Sequence, residues 1–254
     1  MVLLKASQSA REVESLLQRS RTPPNFYLSD RLWEAAGYKA ERVGASVVVW
    51  TEDGLLFPPI TVWGELTPAF FPVFVDFEGY RGNGEAKLLD HEYIYNPASF
   101  LDLSGGARKV FRKNVHRFER EHPGWEYRVI DGAPEFLPVW LEQSGAEEFY
   151  GPEVALQYLR GEVEALFVRG KLVGVNAYDT NFAYTNFRYS FALREFGASE
   201  FLRWQFFLHH QGRLVHDGGD LGCPSLAEFK MKLGPVEVRT RMGWSGGHCG
   251  LSSS

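Results

Sequence analysis

The sequence is poor in cysteine and contains no long hydrophobic run, and these two absences exclude several classes of protein. Its 254 residues include only Cys223 and Cys249, too few for a disulfide framework or a cysteine-based zinc site. No apolar stretch approaches the roughly 20 residues that cross a bilayer, and the first residues become polar too soon for a signal peptide. We therefore expect a reduced, cytoplasmic protein with no membrane span.

The chain also lacks an excess of positive charge. Its formal net charge is −5, so no global field attracts nucleic acid or an anionic membrane, and any polyanion must bind locally. It has no phosphate-binding P-loop and no His/Glu cluster with metal-ligand spacing, so we expect neither a metal nor a tightly bound cofactor. Aromatic residues are abundant instead, at 15%, within a hydrophobic fraction of 44% that is typical of globular proteins.

The first third of the chain predicts short helices and a hairpin. Apolar spacing over residues 9–19 is typical of an amphipathic helix, and Ser29 is placed to cap a second helix that Gly37 ends. The pair Asp53-Gly54 between apolar runs is a strong hairpin signal. We assign residues 1–96 to a smaller N-terminal domain.

The rest of the chain predicts a larger α/β domain. From about residue 100 the order is helix, strand, helix, helix, hairpin, strand, helix, strand, helix, strand. That order is typical of a mixed sheet covered by helices. We assign residues 97–242 to this domain and residues 243–254 to a tail.

The central element of the larger domain is a strand, a turn and a helix within residues 182–211. Alternation places Phe187, Tyr189 and Phe191 on one face of the strand. An apolar stripe at helical spacing then predicts the helix. The stripe consists of Phe201, Trp204, Phe207 and Leu208.

The turn between that strand and helix has the composition of an anion site. Gly197 permits close approach of a ligand to the backbone. The N–H groups of the helix start, at Ala198 and Ser199, carry about half a positive charge, and Arg194 adds a cation that can pair with phosphate. The alternative is an ordinary strand-to-helix turn with an incidental glycine.

A predicted helix over residues 107–121 is locally basic. Arg108, Lys109, Arg112 and Lys113 crowd its N-terminal turns, where the helix dipole disfavours cations. An anion such as a cofactor phosphate or an RNA backbone would offset that cost. The alternative is a solvated helix face, which is the usual meaning of such a run.

The order of elements, with Arg194-x-x-Gly197-x-Ser199 opening a helix after an aromatic strand, resembles the GNAT acyltransferase superfamily. In that superfamily the corresponding turn holds the pyrophosphate of acyl-coenzyme A. The resemblance implies a mixed, mostly antiparallel sheet flanked by helices, and coenzyme A contacts at Arg194, Gly197, Ala198 and Ser199. The superfamily has glycine or alanine at the last place of the pattern, where this chain has Ser199.

Three further segments narrow the resemblance. They are Tyr93-Ile94-Tyr95-Asn96, Arg108-Lys109-x-x-Arg112-Lys113-Asn114, and Gly218-Gly219-Asp220-Leu221-Gly222 followed by Glu228-Phe229-Lys230. Together they resemble the GNAT-like proteins related to the C-terminal domain of phosphatidylglycerol lysyltransferases, and the Fem-type aminoacyl-tRNA-dependent transferases. This resemblance covers roughly residues 25–242 and implies two GNAT-like halves, of which the N-terminal one is reduced here.

The resemblance also implies a chemistry, the attack of an amine on a thioester or an ester. Phe229-Lys230 matches a Phe-Lys motif whose lysine lies by the reacting ester, so Lys230 is expected to stabilise the oxyanion or the leaving group. Asp217 is a candidate to accept a proton or hold the amine, and Tyr189 is a candidate general acid. Each has a structural alternative: a surface lysine, a loop hydrogen bond and core packing, respectively. His216, His209 and His210 are further candidates for the base.

The expected function is therefore transfer of an acyl or aminoacyl group to a small-molecule or peptide amine. The co-substrate is acyl-coenzyme A or aminoacyl-tRNA, and tRNA would contact Arg108, Lys109, Arg112 and Lys113. The alternative is a non-catalytic GNAT-like module that binds a peptide or small ligand in an aromatic groove.

Overall fold

The computed structural model describes residue 15 and residues 29–43, 46–51, 54–55, 60–61, 73–75, 85–144 and 152–245. Contacts divide the chain into two compact units. The first contains Met1–Glu92, Gly219–Pro224 and Val238–Ser254, and the second contains Tyr93–Gly218 and Ser225–Glu237. The helix predicted over residues 9–19 lies outside the described residues except for Ser15.

The first unit begins, among its described residues, with a short capped helix. Helix α1 spans Asp30–Ala36. The Ser29 hydroxyl accepts a hydrogen bond from the Leu32 N–H at 3.0 Å, and Gly37 ends the helix in the left-handed region at φ 66°. Both ends of this helix are therefore as the sequence predicts.

The described strands of the first unit form antiparallel pairs. Strand β2 pairs with β1, β3 and β4. Thr51 pairs with Gly54, which confirms the predicted hairpin around Asp53-Gly54. Strand β12 pairs with β5 and continues to Ser245, three residues past the predicted strand end at Met242. The strands are β1 Lys39–Val43, β2 Ser46–Thr51, β3 Gly54–Leu55, β4 Ile60–Thr61, β5 Val73–Val75 and β12 Glu237–Ser245.

The second unit contains a sheet flanked by helices. Along the sheet the strand order is β6, β11, β10, β9, β8, β7, and β6 enters this unit at Tyr93. Strands β7 to β10 pair antiparallel, and β10 and β11 pair parallel. The mixed, mostly antiparallel sheet that the sequence predicts is therefore confirmed. The strands are β6 Glu85–Tyr95, β7 Trp125–Asp131, β8 Glu162–Val168, β9 Lys171–Thr180, β10 Tyr184–Ala192 and β11 Leu214–Gly219.

The helices of the second unit follow the predicted order. A short 3-10 helix, Pro97–Phe100, precedes α2. Helix α6 begins at Pro224, so Ser225 lies inside its first turn. The α-helices are α2 Lys109–Glu121, α3 Phe136–Ser144, α4 Pro152–Leu159, α5 Ala198–His209 and α6 Pro224–Lys232.

The two parallel strands of this sheet separate part of the way along. Only three residue pairs join β10 to β11, the last being Asn186 with His216. Beyond that pair, among the residues that the structure describes, β10 continues to Ala192 along β9 alone. Two neighbouring strands that part in this way leave polar backbone groups along their facing edges.

A β-bulge at the same point corrects one prediction. The register of β10 shifts between Phe187 and Tyr189, so Arg188 is an extra residue. The Phe187 ring therefore packs 4.4 Å from Phe206 on α5, whereas Tyr189 lies 5.7 Å from Tyr158 on α4. The prediction that Phe187 and Tyr189 share one face is wrong, because the bulge reverses the alternation.

Aromatic side chains between α2, α5 and the sheet form the core of the second unit. The Phe100 and Phe207 rings stack at 4.0 Å, and Phe118 lies 4.7 Å from Phe201. Each ring of this kind contributes roughly 1.5–3 kcal/mol through removal from water. The core fixes α5 on the sheet and so fixes the turn that precedes it.

Candidate functional site

Lys230, on α6, is buried beside the end of β11. Its side chain is 5% exposed, and its Nζ donates to the main-chain oxygen of Asp217 at 2.5 Å. The main-chain oxygen of Gly218 lies 3.5 Å away, and the Tyr93 ring centroid lies 5.5 Å away. A lysine is seldom buried unless its charge is compensated. The interpretation of Lys230 as an ordinary surface lysine is therefore wrong.

Asp217 supplies that compensation and shares it with a second cation. Its Oδ1 lies 3.7 Å from the Lys230 Nζ, and its Oδ2 accepts a hydrogen bond from Arg203 Nη1. The Arg203 guanidinium lies 4.5 Å above the Phe187 ring and 5.6 Å from the Phe229 ring. These side chains come from β10, β11, α5 and α6 and meet where β10 and β11 separate.

Tyr95 on β6 closes one side of this group. Its hydroxyl donates to the main-chain oxygen of Lys230 at 2.9 Å. Burial, and then the charge of Asp217, raise the pKa of Tyr95 well above its ordinary value. A hydroxyl that stays protonated keeps donating to α6, so Tyr95 fixes the backbone that carries Lys230.

At Gly197, in the predicted anion site, neighbouring residues of the protein fill the space beside the backbone. It adopts φ 79°, and a Cβ placed on it would lie 2.5 Å from the main-chain oxygen of Asn114 and 3.2 Å from the Phe118 Cβ. Close contact between the turn and α2 therefore accounts for this glycine. The contact explains why glycine is present without invoking a ligand.

The other groups of this turn are partly engaged. The Glu195 N–H donates to Leu193 at 2.6 Å, and the Ala198 N–H donates to Glu195 at 3.1 Å. The Arg194 guanidinium binds the main-chain oxygen of Ser144 at 2.5 Å, at the end of α3. For the N–H of Ser199 we find no acceptor among the described residues. Phosphate contacts at this turn stay a prediction, with the N–H of Ser199 among the donors that could make them.

Two of the four basic residues at the start of α2 are used by the fold. Arg108 Nε donates to Leu233 at 2.8 Å, its guanidinium lies 4.0 Å above the Phe100 ring, and burial lowers its pKa. Arg112 Nη1 donates to the main-chain oxygen of Leu103 at 2.6 Å. These bonds offset the unfavourable position of two cations at a helix start.

The other two basic residues, Lys109 and Lys113, are exposed. They are one helical turn apart on α2, so their side chains lie on the same face. Any phosphate contact made by this helix therefore depends on Lys109 and Lys113 more than on Arg108 and Arg112.

Tyr189 lies apart from Lys230, on the face of the sheet that α4 covers. It stacks with Phe191 at 5.7 Å, beside Tyr158. Tyr158 in turn donates to Asp179, which also receives a bidentate ion pair from Arg188 with bonds of 2.7 and 3.0 Å. Tyr189 therefore belongs to a different polar group from Lys230 and Asp217, and its role as general acid stays a prediction.

The three candidate histidines occupy two other places. His216 is buried on β11, and its Nδ1 accepts the Gly218 N–H at 3.3 Å. His209 Nδ1 and His210 Nε2 each lie 3.3 Å from Oε1 of the buried Glu164. Among the described residues no three His, Cys, Asp or Glu side chains are arranged to bind a metal ion.

Arg203 is the site residue that the sequence analysis missed. It is the only charged residue between Phe201 and Leu208, inside an otherwise apolar helix stripe. A cation in that position needs a buried partner. A single charged residue within an apolar stripe is therefore the sequence signal that predicts a site residue at Arg203.

Comparison with known proteins gives the fold. No protein-family model matches the sequence, and no curated protein matches it. A conserved protein of unknown function from Bacteroides thetaiotaomicron is similar over 93% of this chain and 97% of its own, with a TM-score of 0.70 and 15% identity. The C-terminal domain of a putative lysylphosphatidylglycerol synthetase from Agrobacterium fabrum covers 95% of this chain and 93% of its own, at TM-score 0.61 and 14% identity.

A third similar structure is that of a GNAT protein. A tandem GNAT protein from the clavulanic acid biosynthesis pathway is similar over 95% of this chain and 97% of its own, with a TM-score of 0.50 and 11% identity. The chain therefore has a GNAT-like fold of the type found in lysylphosphatidylglycerol synthetase C-terminal domains. None of the described helices has the length and hydrophobicity that crossing a membrane requires.

Proposed function

We propose that the protein transfers an acyl or aminoacyl group from coenzyme A or aminoacyl-tRNA to an amine. The observation that supports this most directly is the burial of Lys230 beside Asp217 where β10 and β11 separate. A buried ammonium is costly for stability, so its presence calls for an explanation other than packing. An ammonium in that position can stabilise negative charge that develops on a reacting carbonyl.

In this reaction the acceptor amine attacks the carbonyl carbon of the donor, and the new C–N bond replaces a C–S or C–O bond. Lys230 donates a hydrogen bond to the carbonyl oxygen as it becomes an oxyanion. The main-chain oxygen of Asp217 holds Lys230 in place, while the Asp217 carboxylate stays paired with Arg203. The amine proton passes to the leaving thiolate or ribose oxygen. We assign Tyr189 no step, because it lies among Tyr158 and Phe191 on the other face.

Lys230→Met and its neighbour Lys232→Met test the proposal. Lys232 is exposed on the same helix and pairs with Glu228 at 2.6 Å, so it is a matched control. Transfer to a panel of primary amines is measured with acetyl-coenzyme A and with a pool of charged tRNA. We expect Lys230→Met to lose transfer by about 100-fold or more, on the scale of a lost oxyanion donor, and Lys232→Met to stay within about 2-fold. Full transfer by folded Lys230→Met would contradict the proposal.

The salt dependence of binding and the effect of surface-charge substitutions distinguish the two possible donors. A tRNA donor predicts binding that weakens steeply between 50 and 200 mM salt, as phosphate contacts do. It also predicts binding that fails in Lys109→Glu/Lys113→Glu, whose side chains are exposed. The matched control is Lys171→Glu, an exposed lysine at the start of β9.

A coenzyme A donor predicts the opposite pattern. Acetyl-coenzyme A would raise the melting temperature by linkage, and Ser199→Glu would abolish the shift by placing a carboxylate at the start of α5. Lys109→Glu/Lys113→Glu would leave it unchanged. Ser199 is preferred to Gly197 as the test position, because any side chain at Gly197 meets Asn114.

The second candidate function is a non-catalytic module that binds a peptide or small ligand. This candidate is favoured by the packing of Gly197 against α2 and by the bond from Arg194 to Ser144. Both contacts leave fewer groups of the turn available to bind an acyl donor. Ligand-dependent stabilisation that survives Lys230→Met, together with no transfer from any donor, would support this candidate over the first.

A further inference from the structure

Asp217 lies between two cations but binds them differently. Arg203 Nη1 donates a hydrogen bond to Oδ2, whereas the Lys230 Nζ is 3.7 Å from Oδ1, beyond hydrogen-bond distance. Lys230 donates to the main-chain oxygen of Asp217 at 2.5 Å instead. The carboxylate is therefore paired with the arginine, and the ammonium is held by the backbone beside it.

Three elements fix the guanidinium that takes the carboxylate. Arg203 is on α5, its side chain is 11% exposed, and it lies 4.5 Å above Phe187 of β10 and 5.6 Å from Phe229 of α6. Phe187 and Asp217 are the first residues after the last pair that joins β10 to β11. Arg203 thus occupies the point where the two strands part.

The geometry points to Arg203 as a positioning residue for Lys230, and this inference rests on the proposed function. A carboxylate beside a lone ammonium forms a direct ion pair, which turns the N–H groups toward the carboxylate. Because the Arg203 guanidinium donates to Oδ2, it keeps the Asp217 carboxylate occupied. Lys230 then stays oriented along the end of β11, where a reacting carbonyl can meet it.

The first test measures Lys230 without turnover. The protein is labelled with ¹³Cε-lysine, and the resonance that disappears in Lys230→Met is followed through a pH titration. Asp217 and Tyr93 lie beside the Lys230 Nζ, Tyr95 binds the main-chain oxygen of Lys230, and Arg203 binds the Asp217 carboxylate. Arg203→Gln removes a neighbouring cation and frees Asp217 to approach, so we expect the titration midpoint to rise by about one pH unit.

Two further variants control this test. Arg203→Lys keeps a cation beside Asp217, so we expect its midpoint to rise less than that of Arg203→Gln. Arg213→Gln removes an arginine that bonds to Asn181 and Tyr184 instead, and should leave the midpoint unchanged. Where Arg203→Gln does not fold, Asp217→Asn is titrated instead, and loss of the shared carboxylate should lower the midpoint.

The second test uses the donor that the transfer assay identifies. We expect Arg203→Gln to lower kcat by about 10-fold or more with KM within about 2-fold, and Arg203→Lys to restore most of kcat. In an Asp217→Asn background the same substitution should cost much less, since both act through one carboxylate. A midpoint that is unchanged or lower in Arg203→Gln overturns the inference. A raised midpoint with no transfer from any donor keeps the positioning geometry and contradicts the proposed function.

Discussion

The turn before α5 and the end of β11 both carry cations beside strand ends, but they use them differently. At the turn, Gly197 packs against α2 and Arg194 binds the end of α3. At the end of β11, the buried carboxylate of Asp217 binds Arg203 and lies 3.7 Å from the Lys230 Nζ. The turn looks like an anion site in the sequence and is largely accounted for by packing. The buried charged group is the more costly one for stability, so it is the stronger candidate for function.

Removal of Asp217 should give the largest effect and test whether the charged group is buried as described. Asp217→Ala removes the carboxylate that Arg203 binds and that lies beside Lys230, so we expect the free energy of unfolding to fall by about 3–5 kcal/mol. Urea denaturation measures this. Glu228→Ala, which breaks an exposed pair with Lys232, should leave the midpoint unchanged. A loss below about 1 kcal/mol in Asp217→Ala would remove the contrast between the two regions.

Substitution of Gly197 should give the next largest effect. Gly197→Ala places a Cβ 2.5 Å from the Asn114 oxygen at a φ of 79°, so we expect a loss of about 2–4 kcal/mol from strain and overpacking. At Gly212 a Cβ would have no atom within 4 Å, and Gly212→Ala is the control. If Gly197→Ala is as stable as the control but no longer binds the donor, the turn is a ligand site and not a packing contact.

The dependence of the free energy of unfolding on pH should show that Tyr95, beside the end of β11, is shielded from water. The pKa of Tyr95 is raised in the folded protein, chiefly by burial. Above about pH 10 the unfolded chain releases this proton while the folded protein retains it, so stability falls as pH rises. We expect a slope of up to about 1.4 kcal/mol per pH unit from this residue. Urea unfolding of Tyr95→Phe between pH 9 and 11 should show a shallower decline, and an equal slope would contradict the prediction.

The smallest effect on stability is expected at Arg194. Its bond to the Ser144 oxygen is exposed, so Arg194→Ala should cost less than about 1 kcal/mol. Donor binding is the sharper measurement, by thermal shift with acetyl-coenzyme A. A reduction of about 10-fold in affinity would show that the turn binds an anion. No reduction would show that Arg194, unlike Lys230, has no part in binding the donor.

Features that depend on neighbours in the sequence were predictable. Ser29 and Gly37 mark the ends of α1, because capping involves residues three or four positions away. Asp53-Gly54 marks a hairpin for the same reason. The order of strands and helices after residue 97 also follows from periodicity, which is a local property.

Features that depend on distant partners were not predictable. The faces of Phe187 and Tyr189 were assigned wrongly, because a bulge at Arg188 arises from pairing with β9 and not from the β10 sequence. Arg203 was missed, since its partner Asp217 is 14 positions away on another element. The bulge and the buried pair both lie where β10 leaves β11.

By itself the sequence determined the succession of elements, the caps and the strand-turn-helix unit that characterises a GNAT-like fold. Only the tertiary structure decided which cations are available to a ligand. Arg108 bonds to Leu233, 125 positions away, while Lys109 beside it stays exposed. The physical reason is that a side chain's charge is compensated by whatever the fold brings within about 4 Å, and chain order does not specify that distance.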